Sequence, residues 1–173
     1  SLEAQRATVQ HVLNLKPDLV ILTGDLTAQA LDSEFALAKR ELTPILNQFP
    51  TVIQAGNHDT YIQHFPQNMR DAFGDCLVKD GADYREFGTV GVLTVESCRP
   101  TLLSNGYVRP ESLKKASQLL ETATAPFIFF CMHYPLLNRR GDLYGPSTRN
   151  IANTQEVLDW LKEQRKLSAF LHG

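Results

Sequence analysis

Four short apolar runs constrain this 173-residue chain more than any other feature. They are Asp18-Leu-Val-Ile-Leu-Thr23, Thr51-Val-Ile-Gln-Ala55, Pro126-Phe-Ile-Phe-Phe-Cys-Met132 and Ser168-Ala-Phe-Leu171. The first and third are almost continuously apolar, as in strands covered on both faces of a sheet. All four stop at polar groups: Gly24-Asp25, Gly56-Asn57-His58-Asp59, His133 and His172-Gly173. In open α/β sheets, sites form just outside the carboxyl ends of the strands. Residues far apart in sequence can therefore meet there.

The segments between the runs carry helical spacing. Leu2, Val9, Val12 and Leu13 share one face of a helix over 2–15, ended by Pro17, which has no backbone donor. Phe35, Ala38, Leu42, Ile45 and Leu46 mark a second helix. Asp32 or Ser33 is its expected N-cap, and Pro44 is expected to kink it or end it early. Pro110 opens a third, with Leu113, Ala116, Leu119 and Leu120 facing the core. Asn153-Thr-Gln-Glu156 reads as a capping box before the stripe Val157, Leu158 and Leu161. Residues 84–87 and 90–95 read as hairpin strands joined at Gly88-Thr89. Residues 59–80 read as loop with a short helix near 67–73, and 137–150 as a long polar loop. The alternation of helices and strands predicts an α/β fold, with residues 1–173 as one domain.

Composition mainly excludes. The formal net charge is −2, whereas a general nucleic-acid binder carries a basic excess, so no nucleic-acid polymer is expected as a partner. No apolar run approaches the ~20 residues that span a bilayer, and no membrane span is expected. The N-terminal residues show no signal-peptide pattern. Cys76, Cys98 and Cys131 are odd in number and share no close metal-ligand spacing. They read as free thiols in a reducing compartment, and a cytoplasmic location is expected.

The strand-end groups combine carboxylate, amide and imidazole, a set that suits divalent ions such as Mn, Fe or Zn. Taken in order, they resemble the calcineurin-like metallophosphoesterases. That family's pattern is Asp-x-His, Gly-Asp, Gly-Asn-His-Asp or -Glu, a lone His after a strand, and Gly-His-x-His. Gly24-Asp25, Gly56-Asn57-His58-Asp59 and His133 match the second, third and fourth blocks. No Asp-x-His precedes Gly24; His11 has Val9 two positions earlier, not an aspartate. Gly173 stands where the last block's glycine would fall. The chain is therefore expected to be a longer enzyme trimmed at both ends. The resemblance implies a four-layer αββα sandwich, with two mixed sheets flanked by helices, and a cofactor of two divalent metal ions.

The resemblance also implies roles. Asp25 would be the carboxylate that bridges two cations about 3.5–4 Å apart. Asn57 would be a neutral ligand through its amide oxygen, and His133 a ligand to the same metal. His58 would protonate the leaving oxygen or stabilise the transition state, with Asp59 orienting its imidazole. A metal-bridging hydroxide would attack phosphorus. Residues 22–27, 56–59, 95–97 and 105–107 look most like the phosphodiesterase branch, which includes bacterial cyclic-nucleotide phosphodiesterases. The expected substrate is thus a small phosphodiester.

Other readings stand beside these. Hydrolysis of a nucleoside or lipid-linked diphosphate is an alternative. A non-catalytic scaffold of the same fold is another, against which the intact run 56–59 counts. Taken singly, Asp25 could cap a turn, Asn57 and Asp59 could be turn formers, and His58 or His133 could be ordinary loop or strand-end histidines. His64 matches nothing in the family and reads as structural or solvent-facing. Gly141-Asp142 follows no strand and reads as a turn. Arg139 and Arg140 are placed to reach a substrate phosphate or, as the more ordinary reading, to be solvated loop charges.

Overall fold

The computed structural model describes residues 2–61, 65–79, 81–100, 105–146 and 148–173, without the side chains of Phe65 and Pro66. His64 lies outside them. The first half runs α1 (Leu2–Leu15), β1 (Val20–Leu22), α2 (Asp32–Leu46), β2 (Thr51–Ile53) and α3 (Phe65–Phe73). Strands β1 and β2 pair in parallel, with Ile21 opposite Val52. The second half runs β3 (Ala82–Phe87), β4 (Val90–Val95), α4 (Pro110–Thr122), β5 (Phe127–Cys131), α5 (Thr154–Glu163) and β6 (Ala169–Leu171). Its sheet has the order β3-β4-β5-β6. The β3–β4 hairpin is antiparallel and closes with Phe87 opposite Val90; the other two pairings are parallel.

Side-chain alternation along the strands explains why these runs are apolar throughout. Val92 and Cys131 point from the four-stranded sheet toward Val52 of the parallel pair, forming the seam between the sheets. Their neighbours Leu93, Val95, Ile128 and Phe130 point the other way, onto Leu113, Ala116 and Leu120 of α4 and Val157 of α5. On the far side of the parallel pair, Ile53 packs with Phe35 and Ala38 of α2 and Met69 and Phe73 of α3. The result is an α/β fold of two sheets flanked by helices. One sheet is mixed; the other is a parallel pair.

Three local expectations need correction. Pro44 lies inside α2 without ending it early; the helix runs on to Leu46. Pro44 sits in the last turn; its missing donor removes one helical bond, the one to the Arg40 carbonyl, and the turn after it still closes, with the Asn47 N–H donating to the Thr43 carbonyl at 3.0 Å. Neither Asp32 nor Ser33 caps this helix, since Leu31 holds the N-cap position. Glu34 reaches back instead, accepting the N–H groups of Leu31 at 3.1 Å and Gln29 at 2.9 Å. Asn153 stands at the N-cap of α5, but its side chain does not cap. It pairs with the backbone of Val108, accepting its N–H at 3.1 Å and donating to its carbonyl at 2.8 Å. Among the described residues, no helix is long and apolar enough to cross a membrane.

Candidate functional site

Two glycines bring the first two strand ends together. Gly24 has φ +106°, and Asp25 follows at φ +57°. Aspartate tolerates this left-handed region better than most side chains. A Cβ on Gly24 would overlap the backbone of Gly56, and one on Gly56 would overlap the Asp25 backbone and carboxylate. The loops after β1 and β2 thus touch where neither can carry a side chain. The contact lets the His58 N–H donate to Asp25 Oδ1 at 3.0 Å.

His133 follows β5 and is only 6% exposed. Its Nδ1 lies 2.7 Å from the Thr23 carbonyl oxygen. A carbonyl only accepts, so Nδ1 carries the hydrogen and, in a neutral ring, Nε2 presents a lone pair. Nε2 lies 2.9 Å from Asn57 Oδ1 and 3.6 Å from Asp25 Oδ1. Three acceptor atoms from three strand ends therefore converge. With Asn57 Oδ1 facing it, a neutral imidazole leaves that contact unmade; a cation, a second ring proton or a turned Asn57 amide would satisfy it. One carboxylate, one amide oxygen and one imidazole make a donor set suited to Mn, Fe or Zn. Holding the remote ring nitrogen on a carbonyl is also how metal-ligating histidines are oriented. Among the described residues, no cluster of three or more His, Cys, Asp or Glu side chains forms a metal site. Here the third donor is the neutral amide of Asn57.

A sequence profile of the calcineurin-like phosphoesterases matches residues 1–173. The chain belongs to this family. Among its relatives is a probable cyclic nucleotide phosphodiesterase from Ruthia magnifica subsp. Calyptogena magnifica, 21% identical over 95% of this chain and 64% of the relative. A second protein of that name, from Vesicomyosocius okutanii subsp. Calyptogena okutanii (strain HA), is 22% identical over 95% of this chain and 65% of its own length. The chain thus spans about 64% of the length of these curated relatives. Among solved structures, the sulfate thiohydrolase SoxB of Thermus thermophilus, in complex with glycerol, superposes with a TM-score of 0.57 at 12% identity. That match covers 98% of this chain and 33% of the other, and is a likeness of fold. Phosphoesterases of this family generally use divalent metal ions.

In this member of the family, His58 and Asp59 are held differently from expectation. His58 Nδ1 donates to the Ala28 carbonyl at 2.9 Å, and the ring stands edge-on to Tyr61 at 5.1 Å. Asp59 makes no bond to this ring. Its Oδ1 accepts the Thr27 N–H at 2.8 Å and hydroxyl at 2.9 Å, and its Oδ2 accepts the Gly56 N–H at 2.9 Å. The orienting contact expected of Asp59 is thus made by Ala28, while Asp59 staples the two loops together. Its carboxyl is fully buried. Burial pushes its pKa up, and the Gly56, Thr27 and Leu26 donors pull it partly back.

The three acceptors line an open cleft of about 520 Å³, with His58 and Tyr61 on its edge. Gly173 also lines it, and the Gly173 N–H donates to the His133 carbonyl at 2.8 Å. His172 does not; its ring tilts against Phe170. Arg139 and Arg140 are exposed at a hairpin tip, outside the lining. The arginine that lines the cleft is Arg149, and Tyr144 lines it too. Nothing in the sequence separates Arg149 from the other loop arginines; only the folding of the loop does. Cys98 and Cys131 are buried free thiols, and burial pushes Cys131 up to about 12. Neither is poised for chemistry.

Proposed function

We propose that this chain is the core of a metal-dependent phosphoesterase that hydrolyses a small phosphodiester. The carrying observation is the convergence of Asp25 Oδ1, Asn57 Oδ1 and His133 Nε2 while His133 Nδ1 is committed to Thr23. These three residues would hold divalent cations of the Mn, Fe or Zn type. When bound, such ions polarise a phosphoryl oxygen and acidify water for attack at phosphorus.

The chain's own groups account for the rest. His58, with Nδ1 tied to Ala28, has only Nε2 left to carry the proton that the departing oxygen takes. The Tyr61 edge and the Ala28 carbonyl fix the ring, so the proton is delivered from one position. Asp59 acts through the loop by keeping Gly56, and hence Asn57 and His58, against Asp25. A small diester is supported by the names of the curated relatives and by a cleft of about 520 Å³, within the ordinary range for small-molecule sites. The free thiols support a reducing, cytoplasmic setting.

The test is hydrolysis of bis-p-nitrophenyl phosphate by the full-length protein with Mn²⁺. Turnover should vanish on chelation, and His58→Ala should lower kcat by about 10²–10⁴-fold. An unchanged rate in His58→Ala would remove the proton-donor role.

A further inference from the structure

We propose that Tyr144 and Arg149 form a substrate-selecting wall. Arg149 would hold a non-bridging phosphoryl oxygen, and the Tyr144 ring would take a flat, aromatic group of the ester. The inference rests on the phosphoesterase reading and goes further by naming the alcohol that the cleft prefers.

The geometry and the charges point the same way. Asp25, Asn57 and His133 present acceptors to the cleft, and a phosphodiester brings more negative oxygen. Arg149 lines the same space, and a guanidinium there would supply donors. It forms no salt bridge among the described residues. Its backbone is anchored, since its N–H donates to the Pro146 carbonyl at 2.9 Å.

Tyr144 is 37% exposed, yet it sits on a well-tied hairpin. Its N–H donates to Leu136 O at 3.0 Å, and Leu137 bridges to Leu143. At the tip, Asn138 Oδ1 accepts the N–H groups of Arg140 at 2.8 Å and Asp142 at 3.1 Å. Tyr144 thus lines the cleft from a hairpin whose backbone has little ordering left to do on binding. Leu137 and Leu143, 42% and 52% exposed, make the hairpin apolar beyond the ring.

The probes are phenylphosphonate and methylphosphonate, which carry the same phosphonate group and differ only in the ring. Binding to the full-length protein with Mn²⁺ is measured by calorimetry. Tyr144→Ala should weaken phenylphosphonate about tenfold and leave methylphosphonate nearly unchanged. Arg149→Ala should weaken both about tenfold or more, with Arg149→Lys recovering part of the loss. In turnover of bis-p-nitrophenyl phosphate, Tyr144→Ala should raise KM and spare kcat. If Tyr144→Ala weakens both phosphonates equally or neither, or if the wild type does not prefer the phenyl compound, the wall is wrong. Because binding is read without turnover, the two proposals fail separately. Ring-selective binding without hydrolysis would sink only the hydrolase reading. Hydrolysis with unselective binding would sink only the wall.

Discussion

The four-stranded sheet and the parallel pair hold themselves together by different means. The larger sheet has strands of five and six residues at its centre, and Phe130 stacks on Phe170 and against Trp160. It packs its outer face on α4 and α5 through fully buried aliphatic side chains. The parallel pair has two strands of three residues, and α1, which precedes it and packs on α2, has no fully buried residue. Yet the pair carries Asp25, Asn57, His58 and Asp59, whereas the larger sheet supplies His133. The site side of the pair is secured by polar ties. Asp59 binds the Thr27 and Gly56 backbones, Gln54 Nε2 donates to Val95 O at 2.8 Å, and His133 reaches Thr23. The candidate site thus lies on short loops held by hydrogen bonds, backed by a sheet held by apolar burial.

Substitutions on the two sides should therefore behave differently. Phe130→Ala should have the largest effect on stability, about 3–5 kcal/mol in urea unfolding, because it empties the larger core. Its Mn²⁺ affinity, measured on folded protein, should be unchanged. A parallel fall in affinity would show that the sheets act as one unit. Asp59→Ala should cost about 2–3 kcal/mol by leaving buried donors of Gly56 and Thr27 unmade. Unlike Phe130→Ala, it should also weaken Mn²⁺ binding, since Asn57 loses its tether. Gly56→Ala should cost about 1–3 kcal/mol and displace Asp25. Full metal affinity in that variant would break the account of the two touching loops.

The smallest effect tests a polar tie of the larger sheet, at Glu86. Glu86 accepts from the Thr124 N–H at 2.7 Å, the Thr124 hydroxyl at 2.8 Å and the Tyr84 hydroxyl at 2.7 Å. The Thr124 N–H leads in holding this carboxyl down to about 2. A lowered folded value means that the contribution is present above the unfolded value of about 4.3 and is lost as pH falls toward 2. Glu86→Gln should therefore destabilise modestly at pH 7, with the difference from wild type shrinking below about pH 4 and vanishing as pH falls through about 2. A pH-independent difference would show that the charge does not matter.

Much of the scaffold was legible because buried strands and helical faces leave periodic marks. Residues 2–15 read as a helix and form one with the same bounds, and the Phe87–Val90 closure was visible in Gly88-Thr89. Caps were less legible. Asp32 and Asn153 have cap chemistry, but Glu34 and Val108 compete for the same backbone and side-chain groups. The strand-end residues Asp25, Asn57 and His133 could be listed from sequence, since each follows an apolar run, and the structure brings them together. The holder of the His58 ring could not, because Ala28 acts through its carbonyl and backbone groups leave no residue-type signal. Arg149 and Tyr144 were hidden for a related reason: their place depends on the hairpin at 136–144 and on the tie of Arg149 to Pro146, which no periodicity records.

The central claim is that Asp25, Asn57 and His133 present lone pairs to a cation. The most direct test is Mn²⁺ titration of the full-length protein, followed calorimetrically and by electron paramagnetic resonance, against Asn57→Ala and His133→Ala. The account predicts saturable binding by the wild type, weakened at least about tenfold in each variant. Equal affinity in all three proteins, or no binding to the wild type, would contradict it. His133 and Asn57 would then be an ordinary hydrogen-bonded pair with the amide turned to donate.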